Sequence, residues 1–393
     1  MVAGPFSGYA SNEIVQLLGL GGQVGPNKMI KPTTTWASFE QSLQSGPLHT
    51  TLENQPAPVQ KEVDALALLA GQETPSRIST SSGGGSDAGI HAQTLKDFCA
   101  IESSDPDTIP VIVTYFLHPA LGGDASTSQI EAYMPKFKGE IKAMTSAIAN
   151  RPAVVLVEID GLGSSAAMAK TGSLPAWEKA LNYEDTQFEA LPHTAVYVEG
   201  GYSDSNSVGY TERALKAVKV NTIQGFFTND THLQWTSHEV AWASEIAKRL
   251  NTHFIVNTSD NGQGPLLNKN PTTEGVEDNC NPPSRGIGIL PTTETHVPRL
   301  DAYLWTHPPG VSGGSCNGRT YPGFAGGDHP APNGTFWPAK AASEVGLANA
   351  RFGPPPHVNG NSSNGSVPYS PPTLEASPPV IPTLPGAPPP HPS

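Results

Sequence analysis

The chain has 393 residues, room for one large domain or two medium ones, since single cores grow to about 250–300 residues before dividing. Hydrophobic residues make up 37% and charged ones 15%, so the middle of the chain can fold, while a formal charge of −13 with only 22 Lys and Arg excludes a basic face for nucleic acid. No apolar run reaches the ~18 residues of a membrane span, so neither nucleic acid nor a bilayer is an expected partner, and a neutral or cationic ligand suits the charge better.

In chain order, residues 1–109 read as a partly irregular N-terminal region that packs on or leads into the regular region beginning at 110. Its first twenty residues, MVAGPFSGYASNEIVQLLGL, show no basic n-region and no continuous apolar core of a secretory signal; either the signal was trimmed or none exists. STSSGGGSDAG at 79–89 is a glycine- and serine-rich break.

From 110 the pattern becomes regular. PVIVTYFL (110–117), AVVLVEI (153–159), TAVYVEG (194–200), TIQGFFTN (222–229), THFIVNTS (252–259) and LDAYLWTH (300–307) predict strands rich in β-branched and aromatic residues. Helical spacing appears between them, with Ile130, Tyr133, Met134, Phe137 and Ile141 in 129–150 and Val240, Trp242 and Ile246 in 238–251. Strand–helix alternation predicts a parallel sheet buried on both faces, doubly wound or closed as a barrel, with its ligand site at the carboxyl ends of the strands. The polar residues gather at those ends: Tyr115, His118, Glu158, Asp160, Glu199, Tyr202, Asn229, Asn257, Asp260, Trp305 and His307. Residues 351–393 are a proline-rich tail, read as extended, with a strap packed on the domain as the alternative.

Three cysteines leave one over after a single pairing. Cys280 and Cys316 sit in similar loops, NCNPP and GSCNG, which suits a disulfide in an oxidising compartment; two unpaired thiols are the alternative. Sequons at Asn229, Asn257, Asn333, Asn361 and Asn364 agree with a secreted origin. No HxxxH or HxH pair and no zinc-spaced cysteines occur, so no metal is expected, and no glycine-rich fingerprint follows a strand, so no nucleotide cofactor is expected either.

Six collinear pieces resemble glycoside hydrolase family 6, the inverting cellulases. VLVEIDGLG stands for that family's strand ending in Glu-Pro-Asp, GFFTN for its Gly-Phe-x-Thr-Asn, HFIVNTSDNGQGP for its Asp-Thr-Ser-Arg-Asn-Gly, and CNPPSRGIG for its Cys-Asn-Pro-Pro-Gly-Arg. LDAYLWTHPPGVSGG matches its Leu-Asp-Ala-Tyr-Leu-Trp-Val-Lys-Pro-Pro-Gly segment, and an FWP stretch lies near Trp337. The resemblance covers about 110–350 and implies a distorted parallel β/α barrel, TIM-like, of about seven strands.

It also implies a secreted monomer acting on a β-linked polysaccharide without a cofactor, with Asp160 as general acid. Glycoside hydrolysis needs a carboxylic acid on one side of the scissile bond and a route to activate water on the other. An aspartate at this place could instead cap the helix expected at GLGSSAAMAK. The family's second aspartate falls on Leu121, with Asp124 three residues later; its base aspartate falls on Gly313; its lysine before Pro-Pro-Gly falls on His307. Its Tyr-Leu-Asp-Ala-Gly-His segment places Glu199 and Tyr202, and Asp260 stands where it has arginine. Water is then left to Glu199, Asp124 or a solvent chain. Tyr115, Tyr202, Asn229, Arg285, Trp305 and His307 are the candidate sugar contacts, a core position being the alternative for Trp305. With the base position at Gly313, a glycan-binding protein with little turnover is the rival reading.

Overall fold

The structure is a computed structural model; it describes residues 86–104 and 110–265 and, discontinuously, positions between 281 and 349. The expected pairing of Cys280 with Cys316, His307, residues 1–85 and the proline-rich tail lie outside the described residues.

The elements run α1 Asp87–Ser104, β1 Val111–Val113, α2 Leu117–Leu121, α3 Thr127–Ile148, β2 Ala153–Val157, α4 Ser165–Thr171, α5 Leu174–Glu189, β3 Thr194–Glu199, α6 Val208–Ala217, β4 Gly225–Thr228, α7 Thr236–Leu250, β5 His253–Asn257 and β6 Leu300–Leu304. A 3₁₀ turn, Val220–Thr222, precedes β4. Each expected strand is present, with the polar end of its run left as loop. Helix α1 starts at the end of the glycine-rich break and packs on α3. Ser126 starts α3 with a capping box: its hydroxyl takes the Gln129 N–H, and the Gln129 side chain takes the Ser126 N–H.

All strand pairs are parallel and the sheet order is β1-β2-β3-β4-β5-β6. Sequential order without reversal is barrel winding and not a doubly wound sheet, because each crossover advances in the same direction. Six strands stand among the described residues, against the expected seven or so, and no ladder among them joins β6 back to β1.

The side-chain period of two explains the near-continuous apolar runs. In β2, Ala153, Val155 and Val157 face the outer core under the helices, while Val154 and Leu156 face the inner one. The inner cluster runs from Val111 in β1 through Tyr197 and Phe227 to Ala302 and Leu304 in β6. Burying each such aliphatic or aromatic side chain stabilises by about 1.5–3 kcal/mol, so both faces are held and the strand tips are fixed in register.

One irregularity interrupts the ladder. Between Phe254 and Ile255 the register of β5 on β6 skips Asp301. This bulge residue accepts the Tyr197 hydroxyl (2.6 Å) and Gln224 Nε2 (3.0 Å) on Oδ2 and meets His253 Nδ1 (2.7 Å) with Oδ1, near the amino ends of the strands.

Candidate active site at the carboxyl ends of the strands

Two non-glycine residues of left-handed conformation follow β2: Glu158 (φ 52°) and Asp160 (φ 59°). Such backbone persists only where surrounding contacts over-determine it. Glu158 is fully buried; its oxygens accept the N–H groups of Phe116 (2.8 Å) and Leu117 (2.9 Å), and its own N–H donates to Thr114 Oγ1 (2.9 Å). It therefore ties the end of β1 and the start of α2 to β2. Burial outweighs the two amide donors and pushes its carboxyl up to about 7, and burial also holds Glu184 of α5, beside it, well above the ordinary range.

Asp160 differs. Its side chain is part-exposed and does not cap the next helix, since α4 has Ser164 as N-cap without a side-chain bond. Instead, Oδ1 accepts the Tyr202 hydroxyl (2.7 Å) and Thr231 Oγ1 (3.1 Å), and those two hydroxyls are 2.8 Å apart. The loop after Asp160 is pinned twice: Trp177 Nε1 donates to the Gly161 carbonyl (2.7 Å), and the Gly163 N–H donates to Glu199 Oε2 (2.7 Å). Gly163 is required by space, because a Cβ there would lie 2.7 Å from the Tyr202 ring.

Glu199, the last residue of β3, is fully buried, and its other oxygen accepts the Gly201 N–H. Burial first, then the charges of Asp230 and Asp160, keep its carboxyl well above the usual range despite the two amides. Asp230 is buried beside it. Burial and the same three carboxylates push the Tyr202 phenol well up, so Tyr202 stays protonated and serves as a donor.

Of the other expected site residues, Asp124 is exposed in the turn before α3, with no hydrogen-bond or ionic partner among the described residues. Tyr115 is half-buried, stacked on His118 with its hydroxyl 3.2 Å from Nδ1. Asn229 is buried and bonded on every side: Nδ2 to the Gln234 and Asn257 carbonyls (3.1 and 3.0 Å), Oδ1 to the Gln234 N–H (2.7 Å). Asn257 returns a bond to the Asn229 carbonyl (3.0 Å) and takes the Thr306 N–H (2.9 Å), joining the tips of β4, β5 and β6. These two sequons are therefore closed to glycosylation: both amides are buried and engaged.

Trp305 is 1% exposed, with Nε1 donating to the Ile289 carbonyl (3.2 Å), so its ring faces belong to the core. Arg285 is buried against the Gly264 and Gln263 carbonyls. The nearby Asp260 accepts Ser259 Oγ (2.9 Å) and feels the charges of Arg285 and the buried pair Lys340 and Glu344 (3.2 Å). The N–H of Gly313, expected from the sequence to stand at the family's base position, donates to Asn281 Oδ1 (2.6 Å).

The structure thus brings Asp160, Tyr202 and Glu199 together. Sequence reasoning missed Asp230, Thr231 and His232, which follow Asn229 directly; the polar run NDTH closing an apolar strand was the available signal.

A family described as "Glycosyl hydrolases family 6" matches residues 88–348. Endoglucanase A of Thermobispora bispora is 26% identical over 217 residues, covering 52% of this chain and 44% of its own length. Endoglucanase 1 of Streptomyces halstedii is 28% identical over 224 residues, covering 53% of this chain and 63% of its own. The chain thus spans about half the length of these curated relatives. Among solved structures, an endoglucanase from Mycobacterium tuberculosis in complex with a thio-linked cellobioside superposes with a TM-score of 0.57 at 24% identity, over 81% of this chain and 98% of that one, a likeness of fold. With the family matched from α1 to beyond β6, this chain belongs to glycosyl hydrolase family 6.

Proposed function

We propose that the protein hydrolyses a β-linked polysaccharide, a cellulose-like β-1,4-glucan or a related glycan, with inversion at the anomeric carbon. Asp160 gives its proton to the glycosidic oxygen as the bond to the anomeric carbon breaks; a water attacks that carbon and releases its own proton to Asp124 or to solvent. The observation that supports this reading is the placement of Asp160: a part-exposed carboxyl at a strand tip, held through one oxygen only. Glu199, with both oxygens taken by amides, has the part of holding the acid loop. No cofactor enters this chemistry. The enzyme acts outside the cell as a monomer, with Cys280 and Cys316 bridged.

A second reading, a glycan-binding protein with little turnover, rests on the expected match of Gly313 to the family's base position: glycine offers no carboxylate, and its amide is engaged by Asn281. Reducing ends released from a panel of soluble β-glucans by wild type and Asp160→Ala separate the two. Release that depends on Asp160 supports hydrolysis; binding without such release supports the second reading.

A further inference from the structure

We propose that Tyr202 and Thr231 are positioning residues for the acid: their hydroxyls hold one oxygen of Asp160, fix the plane of its carboxyl and leave the other oxygen to carry the transferable proton. The inference rests on the reading of Asp160 as general acid and deepens it.

A hydroxyl carries one hydrogen. Tyr202 spends its hydrogen on Oδ1 of Asp160 at 2.7 Å; that of Thr231 goes either to the same oxygen at 3.1 Å or to the Tyr202 oxygen at 2.8 Å, where it strengthens the first bond by polarising it. Among the described residues Oδ2 accepts nothing, so in the acid form the proton resides there. When Oδ2 gives that proton to the glycosidic oxygen, the electron pair of the breaking bond stays with the leaving sugar, and water supplies the new bond to the anomeric carbon. The charge left on the Asp160 carboxylate then falls on an oxygen whose donors are already in place, and hydrogen bonds to a developing charge strengthen as it develops.

The donors are themselves immobilised. The Tyr202 ring lies between Gly163 on the acid loop and His232, which stacks on it at 3.7 Å between centroids and 5° between planes. His232 is held by Asp204 (Nδ1 to Oδ1, 2.9 Å), and Gln234 Nε2 holds the other Asp204 oxygen (3.0 Å). Tyr202 follows β3 and Thr231 follows β4, so two adjacent strands of the sheet present the two hydroxyls to the tip of a third.

The test is steady-state kinetics on aryl β-cellobiosides whose phenols range from poor to good leaving groups, for wild type, Tyr202→Phe, Thr231→Val, Thr231→Ser and Asp160→Ala, with melting curves for each. For poor leaving groups, Tyr202→Phe is expected to lower kcat about 10- to 100-fold, the span of one hydrogen bond to a charged group, with KM little changed. Thr231→Val lowers it less, and Thr231→Ser restores it. With a dinitrophenolate leaving group, which departs without protonation, the losses vanish. Equal losses on every substrate, or none on any, overturn the proposal, because a merely structural role is blind to the leaving group. If Asp160→Ala shows the leaving-group pattern and Tyr202→Phe does not, the acid assignment stands and this proposal falls; if Asp160→Ala retains full activity on poor leaving groups, or wild type turns over none of the substrates, both fall. Should Tyr202→Phe fail to fold, the part-exposed Thr231 pair of variants decides alone.

Discussion

At each end of the sheet a tyrosine hydroxyl grips a carboxylate, Tyr197 on Asp301 at 2.6 Å near the amino ends and Tyr202 on Asp160 at 2.7 Å near the carboxyl ends. Near the amino ends both oxygens of Asp301 are engaged, one by His253, the other by Tyr197 and Gln224. Near the carboxyl ends both hydroxyls converge on the same oxygen of Asp160 and leave its partner open. A carboxylate saturated on both oxygens fastens strands; one held by a single oxygen leaves the other available, as the proposed acid requires. The ends also differ in charge, since Glu158, Glu184, Glu199 and Asp230 crowd the carboxyl ends, each buried, whereas Asp301 has a histidine beside it.

The largest test of this contrast is Asp160→Ala. It is expected to cost about 10²–10⁴-fold in release of reducing ends from soluble β-glucan, the range of general acid catalysis, while the melting temperature stays close to wild type. Asp301→Ala should do the reverse, destabilising by about 1–3 kcal/mol in urea titrations because buried donors lose their acceptor, with kcat nearly unchanged. An Asp301 variant that lost activity without losing stability would break the contrast.

Stability should depend on pH through the carboxyl ends. Glu158, pushed by burial up to about 7, favours folding in its protonated form. That contribution is fully present below about 4.5, the ordinary glutamate value, and is lost as pH rises through about 7, an effect on the order of 3 kcal/mol. Urea midpoints should therefore fall between pH 5 and pH 8, and Glu184→Gln, which removes a second buried carboxyl whose ionisation burial also opposes, should flatten the fall. A midpoint that rose over this range would contradict the reading. Smallest of all, His253→Ala, at a half-exposed side chain, should cost about 0.5–1.5 kcal/mol, the net worth of one hydrogen bond, and leave turnover alone.

Strands and helices were legible because their signals are local. AVVLV alternates between two cores, so every residue in it is apolar; Ser126 and Gln129 announce a helix start with no help from elsewhere. Asp160 was legible as a strand-end carboxylate within VLVEIDGLG. The roles of its neighbours were not. Glu199 and Asp160 both read as carboxylates at strand tips, and only folding set the Gly163 and Gly201 amides on one and two hydroxyls on the other. Trp305 and Asn229 looked like sugar contacts because their types bind sugars, yet one fills the core and the other bolts loop to loop.

The sequence alone determined that a parallel α/β sheet forms, where its strands end, and that an aspartate stands at the tip of the second. The tertiary structure decided which polar side chains are spent on holding those tips and which oxygen of Asp160 stays open. The reason is physical: apolar period and capping act over a few residues, whereas the bonds to Asp160 arrive from 42 and 71 residues away in sequence and exist only once three neighbouring strands are in register.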